Sequence, residues 1–145
     1  VVCQNGGQMS SYVNAPQLTA SVLREGRVYT NDLARIDDDG MLVIEGRDGD
    51  VINVGAMKVS PSEVESVALA FPEVSDCICL PKPHPVMGNV VRLLVVAKAP
   101  ETFDKRKLVQ FIASRLENYK VPQTIELVDA VKRTYNGKLD RKAYL

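Results

Sequence analysis

The residues best able to do chemistry lie near the end of the chain, in Tyr135-Asn136-Gly137-Lys138-Leu139-Asp140-Arg141-Lys142. There a glycine turn presents a lysine inside a basic segment, ahead of a short helix capped near Asp140. A lysine on a turn is a mobile cation, able to enter a separate site and neutralise an oxyanion or phosphate, a task that needs charge and reach more than rigidity. The same pattern also fits a solvated basic tail. It does not fit a P-loop, because the first glycine of that motif is missing and Leu139 follows the lysine in place of Ser or Thr. A second constellation joins Tyr29-Thr30-Asn31-Asp32 to Gly46-Arg47. A carboxylate can accept both hydroxyls of a ribose while a guanidinium supports it, although a turn residue and a surface ion pair would use the same side chains.

Other chemistries find little support. Gly46-Arg47-Asp48-Gly49 is too short for a dinucleotide fingerprint, and no glycine-rich turn joins a strand to a helix in the required order. Cys3, Cys77, Cys79 and His84 could supply a zinc set only without paired C-x-x-C knuckles, so the cysteines read as core residues. His84 is the only histidine and sits between prolines, a poor base for a hydrolytic triad. Three cysteines cannot all pair, and Cys77 and Cys79 are badly spaced for a bridge, so a reducing cytoplasm is the expected compartment.

Across 145 residues, 18 Lys+Arg balance 18 Asp+Glu, so no global cationic field exists to grip nucleic acid or an acidic membrane. Charge is uneven locally: Asp37 to Asp50 holds six acids against one Arg, and Lys132 to Lys142 holds five bases against one Asp. The longest apolar run, Val90 to Ala97, is broken by Arg92 and falls far short of the ~20 residues of a bilayer span. The chain opens with neither Met nor a signal-peptide pattern and is expected to start mid-protein.

These residues need elements to position them. Residues 1–40 are rich in Gly, Asn, Gln and Ser, and their one helical stretch, Pro16 to Arg24, has no local packing partner. Beyond Gly40, Met41–Ile44 and Asp50–Asn53 read as strands separated by a Gly46–Gly49 turn. Ser60 and Pro61 open a helix striped by Val64, Val67, Ala68 and Phe71. Val74–Leu80 and Val90–Ala97 are strands joined by a Pro81–Pro85 loop; Asp104 caps a helix with Leu108, Phe111, Ile112 and Leu116 on one face; Thr124–Val128 is a last strand. The order predicts an α+β fold: a small mixed β-sheet with both amphipathic helices packed on one side, in two layers.

Taken together, Tyr29–Arg35, Asp37–Gly40, Gly46–Ile52, Val59–Glu65, Tyr119-Lys120-Val121-Pro122 and Asn136–Arg141 closely resemble, in order, motifs of the adenylate-forming superfamily of acyl-CoA synthetases, nonribosomal adenylation domains and luciferases. The resemblance is to the last part of such an enzyme, with 1–48 as the tail end of the large N-terminal AMP-binding domain and 49–145 as the mobile C-terminal domain. It implies that a carboxylic acid is activated by ATP, with Mg2+, to an acyl-adenylate, which a thiol then captures in a second domain orientation. By that resemblance Lys138 is the catalytic lysine of adenylation, Asp32 and Arg47 serve the ribose, and Gly49 is the hinge, replacing the usual Asp or Lys. Gly49 allows the backbone excursion a hinge needs but gives no side-chain preference between orientations. Gly55, Ala56 and Lys58 belong to the loop that faces the N-terminal domain and CoA during thioester formation. Ala56 replaces a usual Gly, and Asn31 replaces the Gly before the ribose-binding Asp.

The expected function is therefore the C-terminal part of an ATP-dependent acyl-CoA synthetase, with Lys120 leaning toward CoA as acceptor and fatty acid metabolism as the setting. The alternatives are an adenylation domain that loads a carrier protein, and a noncatalytic interaction module. The 145 residues alone are expected to be inactive, because the nucleotide loop and acyl pocket lie outside them.

Overall fold

The computed structural model describes residues 1–144, so Leu145, the last position of the expected 49–145 domain, lies outside the described residues. The chain divides into two compact units, Val1–Gly49 and Asp50 onward.

In the first unit β1 (Val2–Cys3), β2 (Leu23–Arg24) and β3 (Arg27–Tyr29) form an antiparallel sheet in the order β1-β3-β2, and α1 (Pro16–Val22) precedes β2. A hairpin of β4 (Asp32–Ile36) and β5 (Leu42–Arg47) follows. No residue before Ile52 is buried, and Val13, Leu18, Ile36, Met41, Leu42 and Ile44 are all at least half exposed. The Gly46–Gly49 stretch differs from the expected turn: β5 continues through Gly46 and Arg47, and a 3-10 turn, Asp48–Asp50, comes after it. The cause is a bulge, since Leu33 faces Gly46 but Ala34 faces Ile44, and Gly46 at φ 148° takes a conformation that glycine alone adopts cheaply.

The second unit holds the core. Its mixed sheet comprises β6 (Ile52–Val54), β7 (Met57–Val59), β8 (Val74–His84), β9 (Gly88–Ala97) and β10 (Thr124–Leu127). Central β9 pairs antiparallel with β8 on one edge, and on the other with β6 and, in parallel, β10. Helices α2 (Pro61–Leu69) and α3 (Lys105–Ala113) cover one face, as their apolar stripes require. Val64, Ala68, Leu108 and Ile112 pack there with Cys77, Cys79, Leu93 and Val95, and Phe71 meets Phe111 edge-on at 5.2 Å. The Asp104 carboxylate accepts the Arg106 N–H at 2.9 Å and so caps α3.

Strand alternation sends Ile78, Leu80 and Leu94 to the opposite face. That face is covered too, by Val128, Val131, Leu139 and Tyr144 of the irregular C-terminal segment, an addition to the expected two layers.

The Pro81–Pro85 loop is corrected as well: from Asp76, β8 runs through Pro81 and Pro83 to His84 in unbroken register with β9. Parity explains this. Cys77 and Cys79 donate their N–H groups to Asp76 and Glu65 side chains, away from β9, and Pro81 and Pro83 share that parity. Their missing donors therefore fall on the free edge of the sheet, where no ladder bond is lost. His84 then closes the hairpin tip, its Nδ1 accepting the N–H groups of Val86 and Met87 at 3.3 and 3.2 Å.

Candidate active site

Lys138 lies at the tip of a small hairpin. Thr134 N–H donates to Lys138 O at 2.8 Å, Gly137 N–H donates to Thr134 O at 2.9 Å, and Arg133 bridges Leu139. Gly137 at φ 81° makes the turn, and the Thr134 hydroxyl bonds Asn136 Oδ1. The stem is pinned where Arg133 reaches Asp76 at 2.6 Å and Leu139 enters the second core cluster. Residues 135–138 are exposed, Tyr135 completely, and the Lys138 ammonium has no hydrogen-bond or ion-pair partner among the described residues. The result is a free cation on an ordered backbone.

Asp32 and Arg47 are direct cross-strand partners in the β4–β5 register, with Arg47 Nε 3.3 Å from Asp32 Oδ1. The carboxylate is about a quarter exposed and the guanidinium mostly exposed, so the pair presents an acceptor and fixed donors on one surface. Asn31 adopts φ 59°, a left-handed conformation that Asn enters more readily than most other non-glycine residues. Its carbonyl accepts the Asp48 N–H at 2.9 Å.

Gly55 and Ala56, expected in a loop, form the two-residue turn between β6 and β7, with Val54 facing Met57 and Asn53 facing Lys58. Only Gly55 has positive φ, 59°, the sign pattern of a type II′ turn, so alanine at position 56 carries no backbone strain. Gly55 N–H donates to Met87 O at 2.8 Å, and the side chains from Gly55 to Lys58 are exposed. Gly49 sits in the 3-10 turn with φ outside the left-handed region and open space where a Cβ would stand. This conformation therefore makes no demand for glycine.

Lys120 is not presented to solvent. Its side chain is 12% exposed and donates to Glu63 at 2.7 Å and Glu117 at 2.8 Å, tying α2 to the 3-10 turn Asn118–Lys120. Burial opposes its charge, but hydrogen bonds to Glu117 and Glu63 prevail and raise its pKa. Cys77 and Cys79 are buried thiols; burial pushes Cys77 up to about 12 and raises Cys79 as well, with Glu65 adding to both. Among the described residues no cluster of three or more His, Cys, Asp or Glu could hold a metal ion, and no helix is long and apolar enough to cross a membrane.

The sequence reading missed the partnership of Glu65 and Arg141. Arg141 Nη2 lies 2.7 Å from both Glu65 oxygens, Cys79 N–H donates to Glu65 at 2.8 Å, and Asp50 is 3.8 Å from Arg141 Nη1. Burial raises the Glu65 pKa against the pull of Cys79 and Arg141. The signal was available: Glu65 falls on the buried stripe of α2 with Pro61, Val64 and Ala68, where a charge requires a partner.

The profile of the AMP-binding enzyme C-terminal domain matches residues 63–138, more than half the chain, and the chain belongs to that family. It is 32% identical over 139 residues to a feruloyl-CoA synthase of Amycolatopsis sp, covering 96% of this chain and 28% of the relative. It is 34% identical over 133 residues to a 2-succinylbenzoate–CoA ligase of Staphylococcus aureus, covering 92% and 26%. The o-succinylbenzoate CoA synthetase MenE of Bacillus subtilis, solved with its acyl-adenylate intermediate, superposes with a TM-score of 0.92 at 27% identity, covering 99% of this chain and 29% of that one. The chain thus spans little more than a quarter of the length of the relatives it matches.

Proposed function

We propose that this chain is the C-terminal portion of an ATP-dependent acyl-CoA synthetase, in which Lys138 stabilises the charge that develops when a carboxylate attacks the α-phosphate of ATP. The observation that carries this reading is the free ammonium at an ordered, projecting hairpin tip. A cation delivered in one domain orientation and withdrawn in the other can serve adenylation without obstructing thioester formation. Residues 1–48 are the end of the N-terminal AMP-binding domain, whose remainder would cover the apolar side chains the first unit leaves bare. Asp32 accepts the ribose hydroxyls and Arg47 orients it; Gly49 supplies the hinge; Gly55, Ala56 and Lys58 turn toward CoA in the second half-reaction. Mg2+ enters with ATP, not through ligands of this chain. CoA is favoured over a carrier protein as acceptor because the relatives at 32% and 34% identity are named for CoA. The unpaired cysteines support a cytoplasmic location.

The test is Lys138→Ala in the enzyme that carries this segment. Adenylation, read as ATP–pyrophosphate exchange, should fall by about a hundredfold or more. Thioester formation from preformed acyl-adenylate should stay within about twofold, since uniform loss would mean an interaction used in both steps. Equal loss in both half-reactions would refute the role. The 145-residue chain alone should show no exchange.

A further inference from the structure

The Lys138 hairpin belongs to a segment with little regular structure of its own: among the described residues after β10 there are only the Arg133–Leu139 bridge and a 3-10 turn, Arg141–Tyr144. An ordered tip therefore needs an outside anchor. Leu139 and Tyr144 provide an apolar one, and Tyr144 Oη also accepts the Lys132 N–H at 2.7 Å. The polar anchor is more specific. Arg141, three residues beyond Lys138, passes to the free edge of β8 and meets Glu65, which is 6% exposed and already engaged by Cys79 N–H. A carboxylate with three hydrogen bonds from two directions has little freedom to shift. The same guanidinium faces Asp50, the residue immediately after Gly49.

We propose that Arg141 is a positioning residue for Lys138: with Glu65 and Asp50 it fastens the lysine hairpin to the body of the second unit, at the start of the chain that follows Gly49. The proposal rests on the adenylation role given to Lys138 and adds what makes that lysine arrive in place when the unit turns. Arg141 touches no reactant, and its effect is exerted through the backbone of residues 134–139. Asp50 links this anchor to the position where the swinging unit begins, so the segment entering the unit and the segment bearing the cation move as one piece.

The experiment compares Arg141→Gln, Arg141→Lys and the paired Glu65→Gln/Arg141→Gln variant with Lys138→Ala in the full-length enzyme. The paired variant leaves no lone buried charge, so it carries the test if Arg141→Gln does not fold. Three quantities are read: ATP–pyrophosphate exchange, thioester formation from preformed acyl-adenylate, and hydrogen exchange of the Thr134 and Gly137 amides that close the hairpin. Loss of the anchor should lower kcat for adenylation by about tenfold to a hundredfold, the scale of a misplaced catalytic group. KM for ATP and the thioester step should stay within about twofold, because only placement of the transition-state cation is lost. Both hairpin amides should exchange faster, Arg141→Lys should recover part of the rate, and adding Arg141→Gln to Lys138→Ala should cost nothing more. Equal loss of both half-reactions with unchanged hairpin exchange, or full additivity with Lys138→Ala, overturns the proposal. If Lys138→Ala leaves adenylation intact, the role of Lys138 falls, and hairpin exchange alone then decides whether Arg141 holds the segment.

Discussion

Gly55→Ala tests whether the turn that presents the β6–β7 tip is held by the neighbouring hairpin. Gly55 has φ 59°, and a Cβ there would stand 3.1 Å from Met87 Cε. The backbone part, an L-residue in the left-handed region, costs roughly 1–2 kcal/mol. The contact part is smaller, because Met87 is 36% exposed and its methyl lies at the end of a flexible side chain. Displacing it off-rotamer costs about 0.5–1.5 kcal/mol, for a sum of about 1.5–3.5 kcal/mol. Gly137→Ala is the control, since Gly137 has φ 81° with nothing within 4 Å of its virtual Cβ and should show the backbone part alone. Amide exchange at Leu93 and Val95, fully buried in β9, reads the opening of the second unit, at about 1.4 kcal/mol per tenfold change in rate. In a Met87→Ala background the cost of Gly55→Ala should drop to that of Gly137→Ala. A cost indifferent to residue 87 would mean that Met87 does not brace the turn, and a neutral Gly55→Ala would mean that the turn has no need of positive φ.

Leu108→Ala or Ile112→Ala, each removing a side chain with 0% exposure where α3 meets the sheet, should cost about 2–5 kcal/mol by the same exchange measurement, and a cost near zero would place α3 off the core. The hydrogen bond from Arg92 holds the Glu126 carboxyl below the ordinary carboxylate range, so the pair stabilises the fold above the unfolded pKa and is lost as pH falls through the folded one. Arg92→Met should flatten that part of the stability profile below about pH 4.3. The amplitude should be about 0.2–1 kcal/mol, because the pair is partly solvated, and an unchanged profile would show that it contributes nothing. A thiol reagent at neutral pH should label exposed Cys3 in the native chain, whereas Cys77 and Cys79, buried and with raised pKa values, should react only on unfolding; rapid native labelling of either would contradict their burial.

The helices were readable because a cap followed by apolar residues at three- and four-residue steps has one economical solution, and Asp104 with Leu108 and Ile112 found it. What escaped depends on partners distant in sequence. Pro81 and Pro83 look like a loop until β8 is known to be an edge strand with their nitrogens on its free side. Gly46 looks like a turn until the bulge opposite Leu33 and Ala34 shows why the strand continues through it. The cover on the second face, Val128, Val131, Leu139 and Tyr144, has neither strand nor helix periodicity, so only the folded sheet reveals that Ile78, Leu80 and Leu94 need it.

The same distinction sorts the motif lysines. Lys120 and Lys138 both lie in stretches that resemble catalytic motifs, yet the fold uses them in opposite ways. Lys120 is enclosed by Glu63 and Glu117, and its ammonium is committed to joining α2 to the turn before β10. Lys138 has its backbone fixed and its charge uncommitted. Exposure alone would not distinguish it, for Lys105 and Lys107 on α3 are also exposed. What differs is support: α3 sits on the core through its own apolar stripe, whereas the hairpin is held through Leu139 on one face of the sheet and Arg141 at its edge, with only the tip left over. Holding both flanks of so short a segment is costly in conformational entropy, roughly 1–2 kcal/mol per residue for the backbone alone. A merely solvated tail would gain nothing from that ordering, whereas a cation that must reach a defined point outside its own unit requires it.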